Sequence, residues 1–365
     1  MSRFIPILIL FLVSCEAKNN IPNGLVPIKE NGKWGFINSE GEKVIRCQFD
    51  SVGPFSEGLA SIKWDSLYGF IDTMGKIVIQ PMFRDVCYAF SDGLSKVEIQ
   101  TDTGLQQAFI RVDGSIAFFT SYKDVYNFQF GRAVVNVKDE VCFMDKTGEI
   151  VFNTHYPYCD WDGFKEGIAQ VWGGHRRLVQ EGLSQTVEGD TTKYYDTGGN
   201  VVITLDGMGF NDFSEGLACV KINNENCYID KTGKIKIKPK IRDLDFCMSF
   251  SDGLAMVGYA GPDHKAGFID KTGNIVIPII FYHIDDFKEG VAAFKDKGGW
   301  GFIDKRGRIV LPPQYDAISS HGFEHGLCIV WKGGKCGYIN HKGVFVWFES
   351  IDLLKREPYF VNVVF

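Results

Sequence analysis

The sequence predicts an all-β protein, built as a tandem array of about nine three-stranded antiparallel meanders of about 36 residues each. Two alternating phrases support this prediction. The first runs Gly-Phe-Ile-Asp-Lys-Thr-Gly over 267–273 and continues into the aliphatic run Ile275–Pro278. The second is Phe-Ser-Glu-Gly-Leu-Ala over 213–218. A fixed period of this length is the signature of a repeat architecture, and no run shows the 3.6-residue apolar spacing of a helix.

The spacing of one glycine sets the number of units. The glycine of the second phrase recurs in steps of 34, 35, 38, 36, 49, 37, 37 and 36 residues. Nine units therefore fill the chain after residue 24, which predicts one repeat domain over 24–348 and a C-terminal cap over 349–365. The nine glycines are Gly24, Gly58, Gly93, Gly131, Gly167, Gly216, Gly253, Gly290 and Gly326.

Each unit contains three runs with strand character, as in Leu254–Val257, Trp300–Ile303 and Lys76–Ile79. The runs are short, rich in β-branched and aromatic residues, and bounded by Gly, Asp, Asn and Pro. The Asp-x-x-Gly step from Asp270 to Gly273 suits a tight turn, because aspartate hydrogen-bonds the turn backbone and glycine accepts positive φ. Carboxylates that recur with the period therefore indicate turn chemistry rather than a catalytic pair.

Two arrangements of the units remain open. Propellers typically carry four to eight blades, whereas this chain has nine units. It begins at a first strand near Leu25 and ends after a third strand at 344–347, without the strand exchange that seals many rings. An open, curved stack in which each unit buries its face on its neighbours is therefore favoured. A closed, propeller-like ring is the alternative.

The N-terminus predicts export. A positive charge at Arg3 precedes the apolar run Phe4–Val13, which is too short for the roughly 20 residues that span a bilayer. This pattern is typical of a secretory signal over 1–14. The cysteine that follows Leu-Val-Ser resembles the bacterial lipoprotein signal, which implies lipidation of Cys15 and a tether over 15–23. An ordinary signal peptide with a chance cysteine is the alternative.

Composition argues against several functions. The net charge of −6 is mild and the basic residues are scattered singly, whereas nucleic-acid binding calls for a basic patch. The chain has no Gly-x-Ser-x-Gly elbow, no His-Glu-x-x-His pair and no phosphate-binding glycine loop. No Cys-x-x-Cys pair occurs either. We therefore expect no enzyme activity, no cofactor, no metal site and no nucleic-acid partner.

The ten cysteines leave an odd number once Cys15 is assigned to a lipid, so they cannot all form disulfides. Two pairs lie eight residues apart across the same predicted hairpin, Cys219 with Cys227 and Cys328 with Cys336. Both are candidate disulfides. The alternative is that these cysteines pack as small buried hydrophobes.

Taken together, the Trp-Gly-Phe-Ile, Asp-Lys-Thr-Gly, Ile-Val-Ile-Pro and Phe-Ser-Glu-Gly-Leu-Ala phrases resemble the WG-repeat family over 24–348. The signature tryptophan is clear at Trp34 and Trp300. The resemblance implies a β-repeat scaffold of the kind found in bacterial proteins, many of them exported or lipid-anchored. It implies no general catalytic residue.

Three insertions predict a binding rim. They lie at Gln100–Gln107, Gly173–Thr192 and Tyr259–Ala266, all at the same place in the unit, so they should project from one side. Insertions of this kind often mark the binding face of a repeat protein, although surface loops are also tolerated at little cost. The candidate rim residues are Trp172, His175, Arg176, Arg177 and Trp331.

These observations favour a lipid-anchored bacterial cell-envelope protein that acts as an interaction scaffold for a protein or glycan. We expect it on the outer membrane or the periplasmic face, with its N-terminal lipid in the membrane. One alternative is a propeller-type hydrolase of envelope polysaccharide, with carboxylates converging in a central channel. The other is a purely structural spacer.

Overall fold

A computed structural model describes residues 24–87, 89–122, 124–172, 191–206, 211–241, 243–261, 264–350 and 363–364. Within these ranges the regular elements are β-strands, which form nine small antiparallel sheets. The predicted signal peptide, the tether and Cys15 lie outside the described residues. No helix in these ranges is long and apolar enough to cross a membrane.

We number the sheets as blades 1–9 in chain order. Blades 1 to 3 contain β1 (Val26–Glu30), β2 (Lys33–Ile37), β3 (Lys43–Phe49); β4 (Ser51–Val52), β5 (Leu59–Trp64), β6 (Leu67–Asp72), β7 (Ile77–Phe83); and β8 (Asp85–Val86), β9 (Leu94–Thr101), β10 (Gly104–Arg111), β11 (Ile116–Thr120). Blades 4 to 6 contain β12 (Val125–Gln129), β13 (Arg132–Val137), β14 (Glu140–Met144), β15 (Ile150–Asn153); β16 (Tyr158–Lys165), β17 (Ile168–Trp172), β18 (Thr191–Asp196), β19 (Val201–Asp206); and β20 (Ala218–Ile222), β21 (Glu225–Ile229), β22 (Ile235–Ile237). Blades 7 to 9 contain β23 (Phe246–Ser251), β24 (Leu254–Tyr259), β25 (Lys265–Asp270), β26 (Ile275–Phe281); β27 (His283–Ile284), β28 (Val291–Asp296), β29 (Gly299–Asp304), β30 (Ile309–Tyr315); and β31 (Ala317–Ser319), β32 (Leu327–Lys332), β33 (Lys335–Asn340), β34 (Phe345–Ser350), β35 (Val363–Val364).

The prediction of an all-β repeat array is confirmed, but most blades contain four strands rather than three. The extra strand precedes the three predicted ones and is often only two residues long, as in β4, β8 and β27. It forms the inner edge of its blade, because the last strand carries exposed aliphatic side chains and so forms the outer edge. In blade 9, β35 pairs with β31 beyond this inner edge. The repeated phrases predicted three strands per unit and did not reveal these short inner segments.

The nine blades form a closed, propeller-like ring. The favoured prediction of an open stack is therefore wrong, and the alternative prediction of a closed ring is confirmed. Leu25 and Trp34 of blade 1 share one buried core with Ala317 and Trp331 of blade 9. The hydroxyl of Tyr338 in blade 9 also donates a hydrogen bond of 3.0 Å to the Pro27 carbonyl. Closure uses side-chain packing, which needs no exchanged strand, so the absence of strand exchange did not forbid it.

The same contact repeats at all nine interfaces. The turn glycine before each outer strand lies against the outer strand of the preceding blade, as Gly75 lies against Ile45 and Gly114 against Ile79. At the closing interface, a Cβ on Gly41 would come within 2.9 Å of Val346 Cβ in blade 9. Blade 1 therefore docks on blade 9 in the way that every other blade docks on its predecessor.

The signature glycine has a packing reason in the four clear copies of the first phrase. There the outer strand makes a second register shift and passes directly over the glycine. A Cβ at Gly301 would lie 2.7 Å from the Leu311 carbonyl oxygen and from the Pro313 nitrogen. Four eroded copies pair without the second shift and carry a side chain at this position. The fifth keeps Gly337, where a Cβ would clash with the Trp347 carbonyl oxygen although the outer strand makes only one shift. The four glycines are Gly35, Gly69, Gly267 and Gly301.

The turns divide between two faces of the ring. One face carries the turns between inner and second strands, such as Asp252-Gly253, and the Asp-x-x-Gly turns before the outer strands. We call it the latch face, after the contacts between blades described below. The opposite hairpin face carries the turns between second and third strands. The described insertions, at Gln100–Gln107 and Tyr259–Ala266, both lie on the hairpin face. The third insertion falls mostly on 173–190, outside the described residues.

The cysteine pairing differs from the prediction. Cys219 in blade 6 is bonded to Cys247 in blade 7, with Cα atoms 6.3 Å apart. Within blade 6, Cys219 lies opposite Tyr228, one residue away from Cys227, so the two cysteine side chains point to opposite faces of the sheet. In the second predicted pair, Cys328 lies opposite Ile339, three residues away from Cys336, so these two side chains also point to opposite faces. Neither predicted disulfide forms.

Candidate functional site

The acid of the second phrase connects neighbouring blades. Its carboxylate accepts a hydrogen bond from the backbone N–H of the corresponding glycine one blade later. In blades 6 and 7, Gly253 N lies 2.9 Å from Glu215 Oε1. Among the described residues six carboxylates make this contact: Glu57, Asp92, Glu166, Glu215, Asp252 and Glu289.

A cation from the next blade completes most of these contacts. The second residue of the Asp-x-x-Gly turn supplies it, as Lys271 Nζ lies 3.0 Å from Glu215 Oε2 and Lys305 Nζ 2.6 Å from Asp252 Oδ1. We call the acid, the glycine N–H and the cation an interblade latch. Lysines occupy this position in four described latches, as Lys146, Lys231, Lys271 and Lys305. In a fifth, His341 Nε2 lies 3.0 Å from Glu289 Oε2.

The two latch positions vary together around the ring. Phe130 in the acid position is matched by Thr197 in the cation position of the next blade, and His325 in blade 9 is matched by Ser39 in blade 1. Glu57 is the exception, since a valine occupies its partner position. Paired loss of acid and cation indicates that these carboxylates serve packing between blades.

Substitution of Glu215 should separate the contribution of its hydrogen bond to Gly253 from that of its ion pair with Lys271. We expect Glu215→Ala to lower the free energy of unfolding by about 1–2 kcal/mol, because the Gly253 N–H and Lys271 both lose their acceptor. Glu215→Gln keeps an oxygen for the N–H and should cost less, since a partly exposed ion pair contributes about 0–1 kcal/mol. Urea unfolding of both variants tests this. Equal losses would contradict the role of the N–H contact.

The aspartates of the Asp-x-x-Gly turns hold their own turns, as the sequence indicated. Asp270 Oδ1 accepts hydrogen bonds from the Thr272 hydroxyl at 2.6 Å and from the Thr272 and Asn274 N–H groups at 2.9 and 3.1 Å. The Thr272 hydroxyl and these N–H groups hold the pKa of Asp270 below its usual range. These carboxylates are therefore committed to local structure.

The predicted rim residues do not come together as one described site. Trp331 is only 8% exposed and belongs to the core that joins blades 9 and 1, so its assignment to the rim is wrong. The backbone of Trp172 ends β17. His175, Arg176 and Arg177 lie outside the described residues.

The signature tryptophans are also structural. Trp34 and Trp300 are 2% and 1% exposed. Each is covered by the lysine directly opposite on the neighbouring strand, with Lys29 Nζ 5.3 Å and Lys295 Nζ 5.7 Å from the ring centroid. Such cation–π contacts are worth about 0.5–1 kcal/mol at exposed sites.

The interface between blades 8 and 9 departs from the repeat. At four other interfaces a serine hydroxyl binds the phenylalanine carbonyl of the next blade, as Ser251 Oγ does to Phe287 O at 2.7 Å. Blade 8 has Lys288 in this serine position, as blade 5 has Lys165. Its Nζ lies 3.5 Å from Glu324 Oε1 in blade 9. The serine contact to Phe323 is therefore replaced by an ion pair between longer side chains.

A groove lies at this interface. A cavity of about 290 Å³ is bounded by apolar side chains, including Phe302 and Phe323, and by polar ones. A shallower depression of about 640 Å³ on the latch face shares Lys288 and Phe323 with it. The polar residues of the cavity are Asp285, Asp286, Lys288, Ser320 and His321.

Asp285 is the most perturbed carboxyl of this groove. Its Oδ2 is shielded from solvent and has no hydrogen-bond partner among the described residues. Burial, and next the negative charge of Asp286, raise the pKa of Asp285 to about 6, against an opposing effect of Lys288. Asp286 is solvent-exposed, yet the surrounding protein raises its pKa in the same direction. A half-buried carboxylate with one unpartnered oxygen destabilises the fold when it is ionised, which marks this position as a candidate functional one.

Neutralising Asp285 should stabilise the protein. The raised pKa means that the folded chain holds this proton more tightly than the unfolded chain, an advantage that is lost as pH rises through about 6. Asp285→Asn should therefore raise the free energy of unfolding at pH 7.5 by roughly 1–3 kcal/mol, with a smaller gain at pH 4.5. Asp270→Asn is the matched control and should destabilise at pH 7.5, because its pKa is lowered. Unfolding midpoints at both pH values test this, and a gain independent of pH would contradict it.

Sequence reasoning missed the groove, although two signals were present. In most units two residues separate the end of the inner strand from the following phenylalanine, and in blade 8 both are aspartates, Asp285 and Asp286. Blade 5 has a longer segment that also contains two aspartates, Asp160 and Asp162. Blade 9 has four residues in that place, including His321. The acidic segment of blade 8 and the longer segment of blade 9 meet at one interface.

Comparisons with known proteins agree with the repeat fold. No curated protein matches the chain significantly. A crystal structure titled as the eukaryotic initiation factor aligns with a TM-score of 0.56 and 11% identity, covering 90% of this chain and 96% of that one. This likeness shows a shared fold alone. Hsv2 of Kluyveromyces marxianus aligns at a TM-score of 0.36 and 8% identity over 70% and 93% of the two chains. A prolyl endopeptidase aligns at 0.38 and 11% identity over 78% and 52%. Both scores are too low to carry an argument.

A family profile described as WG containing repeat matches the chain six times. The matched segments are 34–66, 68–100, 194–225, 228–259, 267–299 and 300–336, together more than half of the sequence. WG repeats closed into a propeller-like ring suggest a repeat-based interaction scaffold. On its repeated phrases, its blades and these six matches, the chain belongs to the WG-repeat family.

Proposed function

We propose that this protein is a non-catalytic, lipid-anchored scaffold of the bacterial cell envelope, and that its hairpin face binds a protein or glycan partner. The division of labour between the two faces carries the proposal. Latch-face acids are engaged by N–H groups and cations of the next blade. Insertions accumulate on the opposite face, where they leave the latches intact.

The position of the N-terminus supports this orientation. Gly24 lies on the latch face, since a Cβ there would come within 2.9 Å of His325 Cβ. With a lipid on Cys15, the residues 15–23 reach at most about 30 Å at about 3.3 Å per residue. The latch face would then be turned toward the membrane, and the hairpin face presented away from it.

The anchor has a direct test. In bacterial cells that make the full-length chain, we expect the native protein in the membrane fraction with acyl chains on Cys15, detected by mass spectrometry of the N-terminal peptide. Cys15→Ala should release it from that fraction, because two or more acyl chains are needed for stable anchoring. Cys87→Ala, within the blades, is the control that should stay membrane-bound. Unmodified, full-length protein in the cytosol would overturn the anchor.

The binding face can be tested by site-specific photo-crosslinking in intact cells. Leu105 is 54% exposed on the hairpin face, and Val112 is 45% exposed on the latch face of the same blade. A photoreactive amino acid at 105 should yield adducts with one defined protein or glycan, whereas the same group at 112 should not. Adducts at position 112 alone would place partner binding on the latch face and contradict the proposal. The absence of adducts at both positions would favour a structural spacer.

The competing hydrolase function needs a separate assay. Latch and turn acids are already committed to packing, which supports a non-catalytic role. We expect purified protein to release no fragments from envelope polysaccharide. Release that disappears in Asp285→Asn would overturn this proposal, since that variant should be the more stable protein.

A further inference from the structure

We propose that the groove between blades 8 and 9, next to Asp285 and Asp286, binds a primary ammonium group carried on an apolar chain. This site is distinct from the hairpin face and does not depend on the partner proposed for it. The argument rests on the cavity, on its mixed lining and on its unpaired carboxylate.

The cavity has the shape and lining of a small ligand site. Its volume of about 290 Å³ is at the lower end for small-molecule pockets. Met256 from blade 7, Val291 from blade 8 and Phe302 form apolar walls. Such walls would take an alkyl chain out of water.

The polar groups select the charge of the ligand. Asp285 lines the cavity and has one buried oxygen without a hydrogen-bond partner among the described residues. Asp286 adds a second carboxylate beside it. The cation of the lining, Lys288, is shared with Glu324 through an ion pair of 3.5 Å. The local balance is therefore negative, which favours a ligand with ammonium donors.

This interface lacks the serine contact that joins blades at four other interfaces. Where Ser214 and Ser251 bind the next blade's phenylalanine carbonyl, blade 8 carries Lys288. Ser320, His321 and Gly322, from the longer segment of blade 9, border the cavity. The interface thus borders a cavity in which one acidic oxygen, Asp285 Oδ2, is not engaged by either blade among the described residues.

Calorimetric titration of the purified protein at pH 7.5 tests the proposal. The probes are 1,5-diaminopentane, 1,5-pentanediol and glutarate, which share a five-carbon chain but differ in charge. We expect the diamine to bind, the diol to bind at least tenfold more weakly and glutarate not to bind. Asp285→Asn should weaken diamine binding at least tenfold, because it removes a charge-assisted hydrogen bond. Asp245→Asn, outside the cavity, should leave it unchanged.

A second pair of probes distinguishes a free amine from a lysine side chain. Nα-acetyl-lysine amide presents the same ammonium within a peptide unit, and its Nε-acetylated form removes the charge. If Nα-acetyl-lysine amide binds more tightly than the diamine, the ligand is a lysine side chain of a peptide. If the diamine binds more tightly, the ligand is a free amine. Equal binding of diol and diamine, an unchanged affinity in Asp285→Asn, or no binding of either amine at millimolar concentration would overturn the proposal. None of these outcomes depends on Cys15 or on the hairpin face.

Discussion

Gly301→Ala is expected to lower the free energy of unfolding by about 3 kcal/mol or more. The added Cβ would lie 2.7 Å from the Leu311 carbonyl oxygen and the Pro313 nitrogen, both backbone atoms of the outer strand. Backbone cannot move aside as a flexible side chain can, so the strand must shift and lose pairing with β29. Forced overpacking of this kind typically costs 1–3 kcal/mol, occasionally more. Urea and thermal unfolding monitored by circular dichroism measure the loss.

Gly198→Ala is the matched control. Its Cβ would meet a side-chain atom first, Asp196 Oδ1 at 3.2 Å, and its backbone does not require positive φ. We expect a change within about 0.5 kcal/mol there. If Gly301→Ala proved as mild as this control, close strand crossing would not be the reason for the signature glycine.

Trp331→Ala is expected to cost about 3–5 kcal/mol, the range for removal of a large buried aromatic side chain. Trp331 packs with Leu25 and Trp34 across the junction between blades 9 and 1. The junction has no backbone ladder among the described strands, so packing there decides whether the ring stays closed. Equilibrium unfolding gives the stability, and small-angle scattering should show a wider, open particle for any variant that remains folded.

Leu105→Ala provides the contrast on the hairpin face. Leu105 is 54% exposed, so its truncation should change stability by no more than about 0.5 kcal/mol. A loss below 1 kcal/mol for Trp331→Ala would instead place that side chain on the surface, where the sequence first suggested it.

Local patterns in the sequence predicted much of the fold. Strand type, turn chemistry and unit number followed from runs such as Trp300–Ile303 and turns such as Asp270–Gly273, because both depend on neighbouring residues. The inner strands were missed because two residues, as in β4, carry no periodicity. Ring closure was also misjudged, since it depends on the contact of Leu25 with Trp331, which are 306 positions apart.

The candidate site was less predictable for a physical reason. The amino-acid sequence alone does not show which acid contacts which residue of the next blade. The contact between Glu215 and Lys271 was therefore not predicted. The bond between Cys219 and Cys247 was not predicted for the same reason, because it joins two blades and not the two strands of one hairpin. Asp285 could have been noticed as a break in the period. Its burial and its missing hydrogen-bond partner, however, arise only when blades 7, 8 and 9 assemble.

The junction between blades 1 and 9 has one further consequence. The turn-glycine contact at this junction is the same as at every other blade boundary. Folding therefore does not require that blade 1 come first in the chain. A gene rearranged to start at another unit, with the old ends joined by a linker, should encode the same ring. Circular permutation is tolerated when the termini lie close together at the surface. The position of the N-terminus among the blades would then reflect evolutionary history, and folding would not require that position.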